Sequence, residues 1–247
     1  IITATLSSDV ILPCTACEVQ KEIGAKNAAA FDINAACSGF VIACNMAEAF
    51  FAAGQYRTAL IVAAESLSML TDWSDRNTCI LFGDGAGAAV VTASENRGIQ
   101  DFIQFSDGAK GEALLCDAKP LRNLFAHQEP AQEFVKMDGQ EVFKFAVHRV
   151  SESIAQLLER NGLTAGDIGC YVLHQANARI IASVIKHLKA DADKFPMNVE
   201  RCGNTSGASV PLLLDELSRS GRLREGDRVI MSGFGGGLTL GSIYMIW

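Results

Sequence analysis

The stretch that decides the fold is Asn34-Ala-Ala-Cys37-Ser-Gly-Phe-Val-Ile-Ala-Cys44-Asn-Met-Ala-Glu-Ala-Phe-Phe-Ala-Ala53. From Cys37 onward it predicts a helix that is apolar on nearly every face, with Gly54 as its stop. A helix without a polar face is typical of a protein interior. Asn45 and Glu48 interrupt the run, so it falls short of the roughly 18 apolar residues that a bilayer crossing needs. We therefore expect a central helix over 37–53.

The predicted elements follow the same order in two parts of the chain, and the central helix belongs to the first of them. That order is strand, helix, strand, Gly-rich turn, strand, and it indicates a duplicated α/β unit. We expect a layered α-β-α-β-α fold from two duplicated halves with mixed five-stranded sheets, the first half incomplete, divided at 1–130 and 131–247. The predicted strands are 28–33, 58–64, 86–93, 99–105, 168–173 and 193–199. The further predicted helices are 141–161, 176–189 and 206–219. The last two segments, 228–233 and 238–247, are predicted to form a closing hairpin.

The composition excludes several classes of protein. The chain has 247 residues, 49% of them hydrophobic and 20% charged, which excludes an intrinsically disordered chain. A formal net charge of −7 argues against a nucleic-acid-binding protein, which usually carries a basic face. The sequence has neither an apolar run of spanning length nor a signal-peptide pattern. We therefore expect no nucleic-acid or membrane partner and a cytoplasmic location.

The eight cysteines mostly have small or apolar neighbours, which is typical of buried, reduced thiols. Cys14-Thr-Ala-Cys17 has the CxxC spacing of metal and redox sites. No second CxxC and no pair of histidines follows it. A chance pairing at a helix start is therefore the simpler interpretation.

Three polar residues lie where sites are commonly built. Cys37 follows a strand at the start of the central helix, where free amides and the helix dipole lower the pKa of a thiol. His174 ends the strand Tyr171-Val-Leu173, at the carboxyl edge of a sheet. Asn204 precedes a helix in Gly203-Asn-Thr-Ser206. Taken singly, each has a structural interpretation as well: a core thiol, a buried histidine, and a turn or cap residue.

Two Gly-rich turns, Gly83-Asp-Gly-Ala-Gly87 and Gly235-Gly-Gly237, raise the question of a phosphate loop. Each is followed by a β-like run, whereas a dinucleotide loop needs a helix N-terminus. Tight hairpin turns whose amides face a cavity fit the pattern better, and such amides are good oxyanion donors.

Several segments together carry a resemblance that none carries alone. They are Asn34-Ala-Ala-Cys-Ser-Gly-Phe40, Leu81-Phe-Gly-Asp-Gly-Ala-Gly-Ala-Ala-Val90, His174-Gln-Ala-Asn177, Gly203-Asn-Thr-Ser206 and Phe234-Gly-Gly-Gly237. In this order they resemble β-ketoacyl-acyl-carrier-protein synthase III, a condensing enzyme of the thiolase fold. The resemblance covers essentially the whole chain, and the family's opening segment is the part without a counterpart.

The resemblance implies a Cys–His–Asn site. Cys37 is then the acylated nucleophile, His174 and Asn204 promote decarboxylation, and the backbone amides of Cys37 and Gly236 form an oxyanion hole. The implied reaction condenses an acyl-CoA primer, acetyl-CoA first, with malonyl-acyl-carrier protein and so initiates fatty acid biosynthesis. It uses no metal and no cofactor, because the CoA thioester is a substrate.

The resemblance also implies partners and the residues that contact them. A homodimer is expected, with Leu12 reaching the acyl pocket of the second subunit. The family often has Gly-Asn before a Glu-Val-Phe sequence, and this chain has Gly139-Gln140 there. The implied substrate and CoA contacts are Arg76, Gly139, Phe143, Asn177 and Phe234, and the implied carrier-protein contacts are Arg179, Lys186 and Lys189.

Three alternatives compete with this hypothesis. A related acyltransferase of secondary metabolism has the same site and a different acceptor. A thiolase needs a second catalytic cysteine near the last Gly-rich turn, and 233–241 contains none. A non-catalytic scaffold predicts a degenerate triad, whereas Cys37, His174 and Asn204 are all present.

Overall fold

The computed structural model describes residues 1–95, 97–117 and 134–247. Its first sheet contains four strands in the order β2-β1-β3-β4. β1 runs parallel to both neighbours and β4 runs antiparallel to β3, so the sheet is mixed. The strands are β1 (Ile2–Ala4), β2 (Phe31–Ile33), β3 (Thr58–Glu65) and β4 (Gly85–Thr92).

The second sheet also contains four strands, in the order β5-β10-β9-β8. β8 and β9 are parallel, and β10 is antiparallel to both β9 and β5. The strands are β5 (Gly98–Ser106), β8 (Cys170–Leu173), β9 (Arg228–Gly235) and β10 (Thr239–Ile246). Two further short strands, β6 (Leu114–Leu115) and β7 (Lys136–Met137), form an antiparallel pair of their own.

The helices complete a layered α-β-α-β-α arrangement. They are α1 (Thr15–Glu22), α2 (Gly39–Ala52), α3 (Gly139–Arg160), α4 (Ala178–Leu188), α5 (Val199–Cys202) and α6 (Ser209–Arg219). α2 and α6 contact strands of both sheets and form the middle layer. α1 lies against β1 and β2, while α3 packs on the second sheet and on α4. In the described chain no helix has both the length and the apolar character of a membrane span.

The apolar composition of α2 explains its place between the sheets. Phe40, Val41, Ala43 and Ala47 are each at most 1% exposed and belong to the core that joins the two sheets. A buried side chain such as Phe40 contributes about 1.5–3 kcal/mol by leaving water. The prediction of a central helix is therefore confirmed.

The duplicated plan is visible as β1-α2-β3-β4 and β8-α6-β9-β10. Each middle helix is entered through a 3-10 turn whose first residue has a positive φ, 45° at Ala36 and 49° at Ser206. One difference separates the two halves: β10 is paired on both sides, whereas β4 pairs with β3 alone among the described strands. The free edge of β4 therefore corresponds to the edge of β10 that β5 covers.

One expectation about the second sheet is wrong. It has four strands within the described residues, not five. The segment 193–199 forms no strand, because Pro196 lacks an N–H for a ladder and the N–H of Asn198 donates to Gln175 Oε1 at 3.0 Å. A 3-10 turn at Ala192–Lys194 and the start of α5 occupy the segment instead.

The predicted division of the chain at residue 130 lies outside the described residues. β5 precedes that point and nevertheless pairs with β10 of the second sheet. The division into 1–130 and 131–247 therefore stays a prediction.

Candidate active site

Cys37 lies in the 3-10 turn at Ala36–Ser38, directly before α2, and is 7% exposed. Burial raises the pKa of its thiol to about 12, and the Glu65 carboxylate adds to the rise, while the Ser206 hydroxyl opposes it. The expectation of a lowered pKa is therefore wrong for the substrate-free chain. The helix start supplies free amides, but loss of water around the sulfur outweighs them.

Gly235 lies closest to Cys37 on the facing strand β9. A Cβ atom at position 235 would lie 2.8 Å from both the Cβ and the backbone N of Cys37 and 3.0 Å from its Sγ. Real Cβ atoms do not approach so closely, so glycine is required here. A Cβ on the neighbouring Gly236 would meet Ala36 Cβ at 3.5 Å instead. The Gly-rich run was visible in the sequence, but the position that touches the nucleophile was missed.

His174 follows β8 and is 1% exposed. Its backbone N–H donates to Ser232 O at 2.8 Å, which holds it in line with β9. Burial lowers the pKa of the imidazole to about 3, so the ring is neutral at physiological pH. The ring of Phe234 meets it edge-on, with centroids 5.1 Å apart.

Ser209, at the start of α6, selects the tautomer of His174. Its Oγ accepts the N–H of Gln175 at 3.2 Å and lies 2.6 Å from His174 Nδ1. The serine hydroxyl hydrogen has no other acceptor among the described residues, so it is donated to Nδ1. The proton of the ring is then on Nε2, which makes Nε2 a hydrogen-bond donor.

Asn204 is fixed by its own backbone and side chain. Its N–H donates to Leu81 O at 2.8 Å, and its carbonyl accepts from Gly83 N at 3.0 Å. The side-chain Oδ1 accepts from Ser206 N at 2.9 Å, so the residue does have the turn role that its sequence context suggests. Nδ2 has no partner in the described part of the chain and is left as a donor.

The three side chains line one cavity of about 120 Å³. Cys37, His174 and Asn204 are separated along the chain, and the fold brings them together from the starts of α2 and α6 and from the end of β8. Of the residues implied by the resemblance, Gly139, Phe143, Asn177 and Phe234 line the same cavity. Asn177 also caps α4 by accepting from Arg179 N at 2.8 Å.

The remaining predicted contacts lie outside this cavity. Arg76 is exposed in the loop before β4, and Leu12 is 83% exposed. Arg179, Lys186 and Lys189 are exposed on α4 and its C-cap, and none forms an ion pair with another described residue. α4 begins beside the cavity at Asn177, so Arg179 lies near the cavity and Lys186 and Lys189 lie toward the far end of the helix.

Two residues that affect Cys37, Glu65 and Ser206, were not identified as site residues from the sequence. Glu65 ends β3 and is 5% exposed, and its Oε1 accepts a hydrogen bond from Ser206 Oγ at 3.1 Å. Its Oε2 accepts from Ser7 Oγ at 2.6 Å. Two sequence features could have pointed to them. Glu65 is the only acid in the mostly apolar strand β3, and Ser206 belongs to a run of hydroxyl residues before α6.

The Gly-rich segment at 83–87 is not a tight hairpin turn, which corrects the expectation. Gly85 and Gly87 lie within β4, and α6 packs closely against this strand. A Cβ at Gly87 would lie 2.9 Å from the ring of Pro211. The second run does form the β9–β10 hairpin turn, as expected.

A larger cavity of about 610 Å³ lies beside the free edge of β4, between α2 and α6. Cys37, His174 and Asn204 do not line it. No group of three or more potential metal-ligating side chains occurs in the described ranges. The chemistry that the geometry supports is therefore that of the small cavity: a thiol nucleophile facing two neutral donors.

Comparisons with known proteins identify the family of the chain. The family model for 3-oxoacyl-[acyl-carrier-protein] synthase III matches residues 31–110, and the model for its C-terminal part matches 158–247. Beta-ketoacyl-[acyl-carrier-protein] synthase III of Clostridium novyi is 48% identical over 250 residues, which cover all of this chain and 76% of that protein.

Solved structures give the same result. A beta-ketoacyl-[acyl-carrier-protein] synthase III from Thermus thermophilus superposes with a TM-score of 0.92 at 40% identity, covering all of this chain and 76% of its own. The priming beta-ketosynthase of the R1128 polyketide pathway superposes with a TM-score of 0.91 at 36% identity, covering 99% and 74%. The chain belongs to the β-ketoacyl-acyl-carrier-protein synthase III family, whose members are condensing acyltransferases of the thiolase fold.

Proposed function

We propose that the chain condenses a short acyl-CoA primer, acetyl-CoA first, with malonyl-acyl-carrier protein. The products are a 3-ketoacyl-acyl-carrier protein, CoA and carbon dioxide, which is the initiating step of fatty acid biosynthesis. The observation that carries the proposal is the single cavity lined by Cys37, His174 and Asn204. A thiol, a neutral imidazole and a carboxamide are the groups that acyl transfer followed by decarboxylation requires.

In the first half-reaction, the sulfur of Cys37 attacks the thioester carbon of the primer. The bond from that carbon to the CoA sulfur breaks, and CoA leaves with the proton that Cys37 gives up. The developing oxyanion accepts hydrogen bonds from the backbone amides of Cys37 and Gly236. Burial raises the pKa of the Cys37 thiol, so we expect the proton to leave as the sulfur attacks.

In the second half-reaction, the bond between the malonyl carboxylate and its α-carbon breaks. Carbon dioxide leaves, and the electron pair forms an enolate on the thioester oxygen. His174 Nε2–H and Asn204 Nδ2–H hold that oxygen. Both groups are neutral, so they stabilise the enolate without protonating its carbon. The carbon then attacks the acyl carbon, the bond from that carbon to the Cys37 sulfur breaks, and the released thiolate takes a proton from water.

The small cavity, of about 120 Å³, has apolar walls that suit an acyl group. Phe143 and Phe234 line it as apolar walls, which is what an alkyl group needs. The proposed steps involve no redox change, and imidazole and amide donors hold the developing oxyanions, so the proposal includes no metal and no redox cofactor.

The exposed surfaces support the proposed partners. Arg179, Lys186 and Lys189 form a cationic strip on α4 that suits an acidic carrier protein. Arg76 is exposed and available to stack on the adenine of CoA. The consecutive apolar residues Val10, Ile11 and Leu12 are 41%, 77% and 83% exposed, which supports a homodimer contact at this loop.

The location we propose is the cytoplasm. No disulfide joins the cysteines in the described residues, in keeping with a reducing compartment. Nothing in the small acidic chain requires a nucleic-acid or membrane partner for the proposed reaction.

A polyketide-priming role is the second candidate, and the likeness to the R1128 ketosynthase favours it. That protein shares less of its sequence with this chain than the Clostridium novyi synthase does. The acceptor separates the two functions: condensation with malonyl-acyl-carrier protein of fatty acid synthesis supports the first, and activity only with a polyketide carrier supports the second.

The proposal is tested by exposing the chain to acetyl-CoA and locating the adduct by peptide mass spectrometry. We expect one acetyl group on Cys37, and none in the Cys37→Ala variant. The matched control is Cys44→Ala, which removes another buried thiol of the same helix and should leave the adduct in place. An acetyl group on another residue, with Cys37 unmodified, would contradict the assignment.

A further inference from the structure

A second pair of thiols lies away from the proposed active site. Cys14 is the N-cap residue of α1 and Cys17 lies in its first turn. Their Sγ atoms are 3.4 Å apart, and both residues are half-buried. Neither lines the cavity that holds Cys37. The proposed condensation therefore leaves this CxxC pair without a role.

The backbone already holds the two sulfurs on one side of the helix start. The N–H of Cys17 donates to Cys14 O at 2.9 Å, which closes the first turn. A disulfide needs an S–S distance of about 2.05 Å, and sulfurs in contact across a helical turn reach it by side-chain rotation. The two sulfurs are therefore in contact and close to the distance at which a bond forms.

The surroundings distinguish the two sulfurs. The Asp32 carboxylate accepts the N–H groups of Thr15 and Ala16 at 2.8 and 2.7 Å, so it occupies the free amides of the helix start. The hydrogen bond with Cys14 is the main cause that raises the pKa of Cys17, and the charge of Asp32 adds to it.

We propose that Cys14 and Cys17 form a reversible dithiol–disulfide site that exchanges with small-molecule disulfides such as oxidised glutathione. The Cys14 thiolate attacks one sulfur of the oxidant, and one glutathione thiolate leaves. Cys17 then loses its proton and attacks the Cys14 sulfur, which forms the Cys14–Cys17 bond and releases the second glutathione. Two electrons pass from the pair to glutathione, and the two released thiolates take up the two protons.

The sequence makes this site easy to observe. Trypsin cleaves first after Lys21, and the peptide 1–21 contains Cys14 and Cys17 and none of the other cysteines. The full chain is equilibrated in glutathione buffers of rising oxidised fraction, quenched with acid, and alkylated. We expect the peptide to lose two hydrogen atoms and both alkylation sites together, and to regain both after treatment with dithiothreitol.

Three variants act as controls. Cys14→Ser and Cys17→Ser should each stop at a stable mixed disulfide with glutathione, because no second thiol remains to resolve it. Cys79→Ser removes another partly exposed thiol and should leave the oxidation of peptide 1–21 unchanged. The native chain should also oxidise at a lower oxidised fraction than the chain in urea, because the fold holds the sulfurs together.

Two results would overturn the proposal. One is a peptide whose thiols both stay alkylatable at every buffer ratio. The other is a wild-type chain that accumulates a mixed disulfide without closing the pair, or that oxidises at the same midpoint when folded and unfolded.

Discussion

Ser206 donates a hydrogen bond from its Oγ to Oε1 of the buried Glu65 at 3.1 Å, and the same hydroxyl acts on the thiol of Cys37. The two residues affect the ionisation of Cys37 in opposite directions. The Ser206 hydroxyl lowers the pKa of that thiol, whereas the charge of Glu65 raises it. Ser206 has only one hydroxyl hydrogen, so its hydrogen bond to Glu65 and a hydrogen bond to the Cys37 thiolate compete for it.

We expect Ser206→Ala to slow the alkylation of Cys37 by iodoacetamide and Glu65→Gln to speed it. The thiolate is the reactive form, and a change of one pKa unit is about tenfold, so each effect should lie between about threefold and tenfold. Peptide mass spectrometry at fixed pH measures both rates. Cys44 is the internal control, since burial alone raises the pKa of its thiol to about 12. If both variants change the rate of Cys37 alkylation in the same direction, Ser206 and Glu65 do not have opposite effects on this thiol.

The buried imidazole gives a pH prediction. Burial lowers the pKa of His174 from 6.5 to about 3, so the unfolded chain takes up this proton first as the pH falls. The group therefore contributes stability above pH 6.5, and this contribution is lost on acidification toward pH 3. The slope is about 1.4 kcal/mol per pH unit in that window.

Urea unfolding at pH 6.5 and 5 measures the effect. The wild-type chain should lose about 2 kcal/mol more between these pH values than His174→Phe, which has no titrating ring. Equal losses in the two proteins would show that His174 is not held neutral. The exposed His187, which lies on α4, serves as a control when replaced by Phe.

Gly235→Ala is expected to abolish acylation. The new Cβ would lie 2.8 Å from the Cβ and backbone N of Cys37, so either β9 or the turn that carries the nucleophile must move. Overpacking of this kind costs about 1–3 kcal/mol of stability. Acetyl adduct formation and the melting temperature measure the two effects. Gly108→Ala is the matched control, because a Cβ there meets nothing within 4 Å. A Gly235→Ala protein that forms the acetyl adduct and keeps the wild-type melting temperature would refute the close contact between position 235 and Cys37.

Asn204→Ala should separate the two half-reactions. Self-acylation of Cys37 needs the thiol and the backbone amides, whereas the Asn204 Nδ2 donor acts on the enolate oxygen. We expect the acetyl adduct to form at the wild-type rate and carbon dioxide release from malonyl-acyl-carrier protein to fall by about 10²–10³-fold, as for loss of one oxyanion donor. If acylation is lost and decarboxylation kept, the roles of the two sites are reversed.

The sequence predicts much of this molecule because its strongest signals are local. The apolar run from Phe40 to Phe51 correctly predicts a buried helix, and the Gly-rich run after Phe234 correctly predicts the β9–β10 turn. The family membership and the layered fold are confirmed by the comparisons. The strand at 193–199 was predicted wrongly because a side-chain acceptor, Gln175, takes the N–H that a ladder would use.

What the sequence does not predict depends on burial and on contacts between distant segments. The pKa of Cys37 is set by loss of water and by Ser206 and Glu65, which are far from it in the chain. The roles of the residues that line the cavity stay predictions, since they are assigned by the resemblance and supported by geometry. Which glycine touches the nucleophile could be known only once β9 was placed.

The uncovered edge of β4 has a consequence for the symmetry between the two halves. In the second half β5 runs antiparallel along the matching edge of β10. The backbone groups of Gly85–Thr92 are therefore placed to receive an antiparallel strand in the same way, and such a strand would extend the first sheet by one.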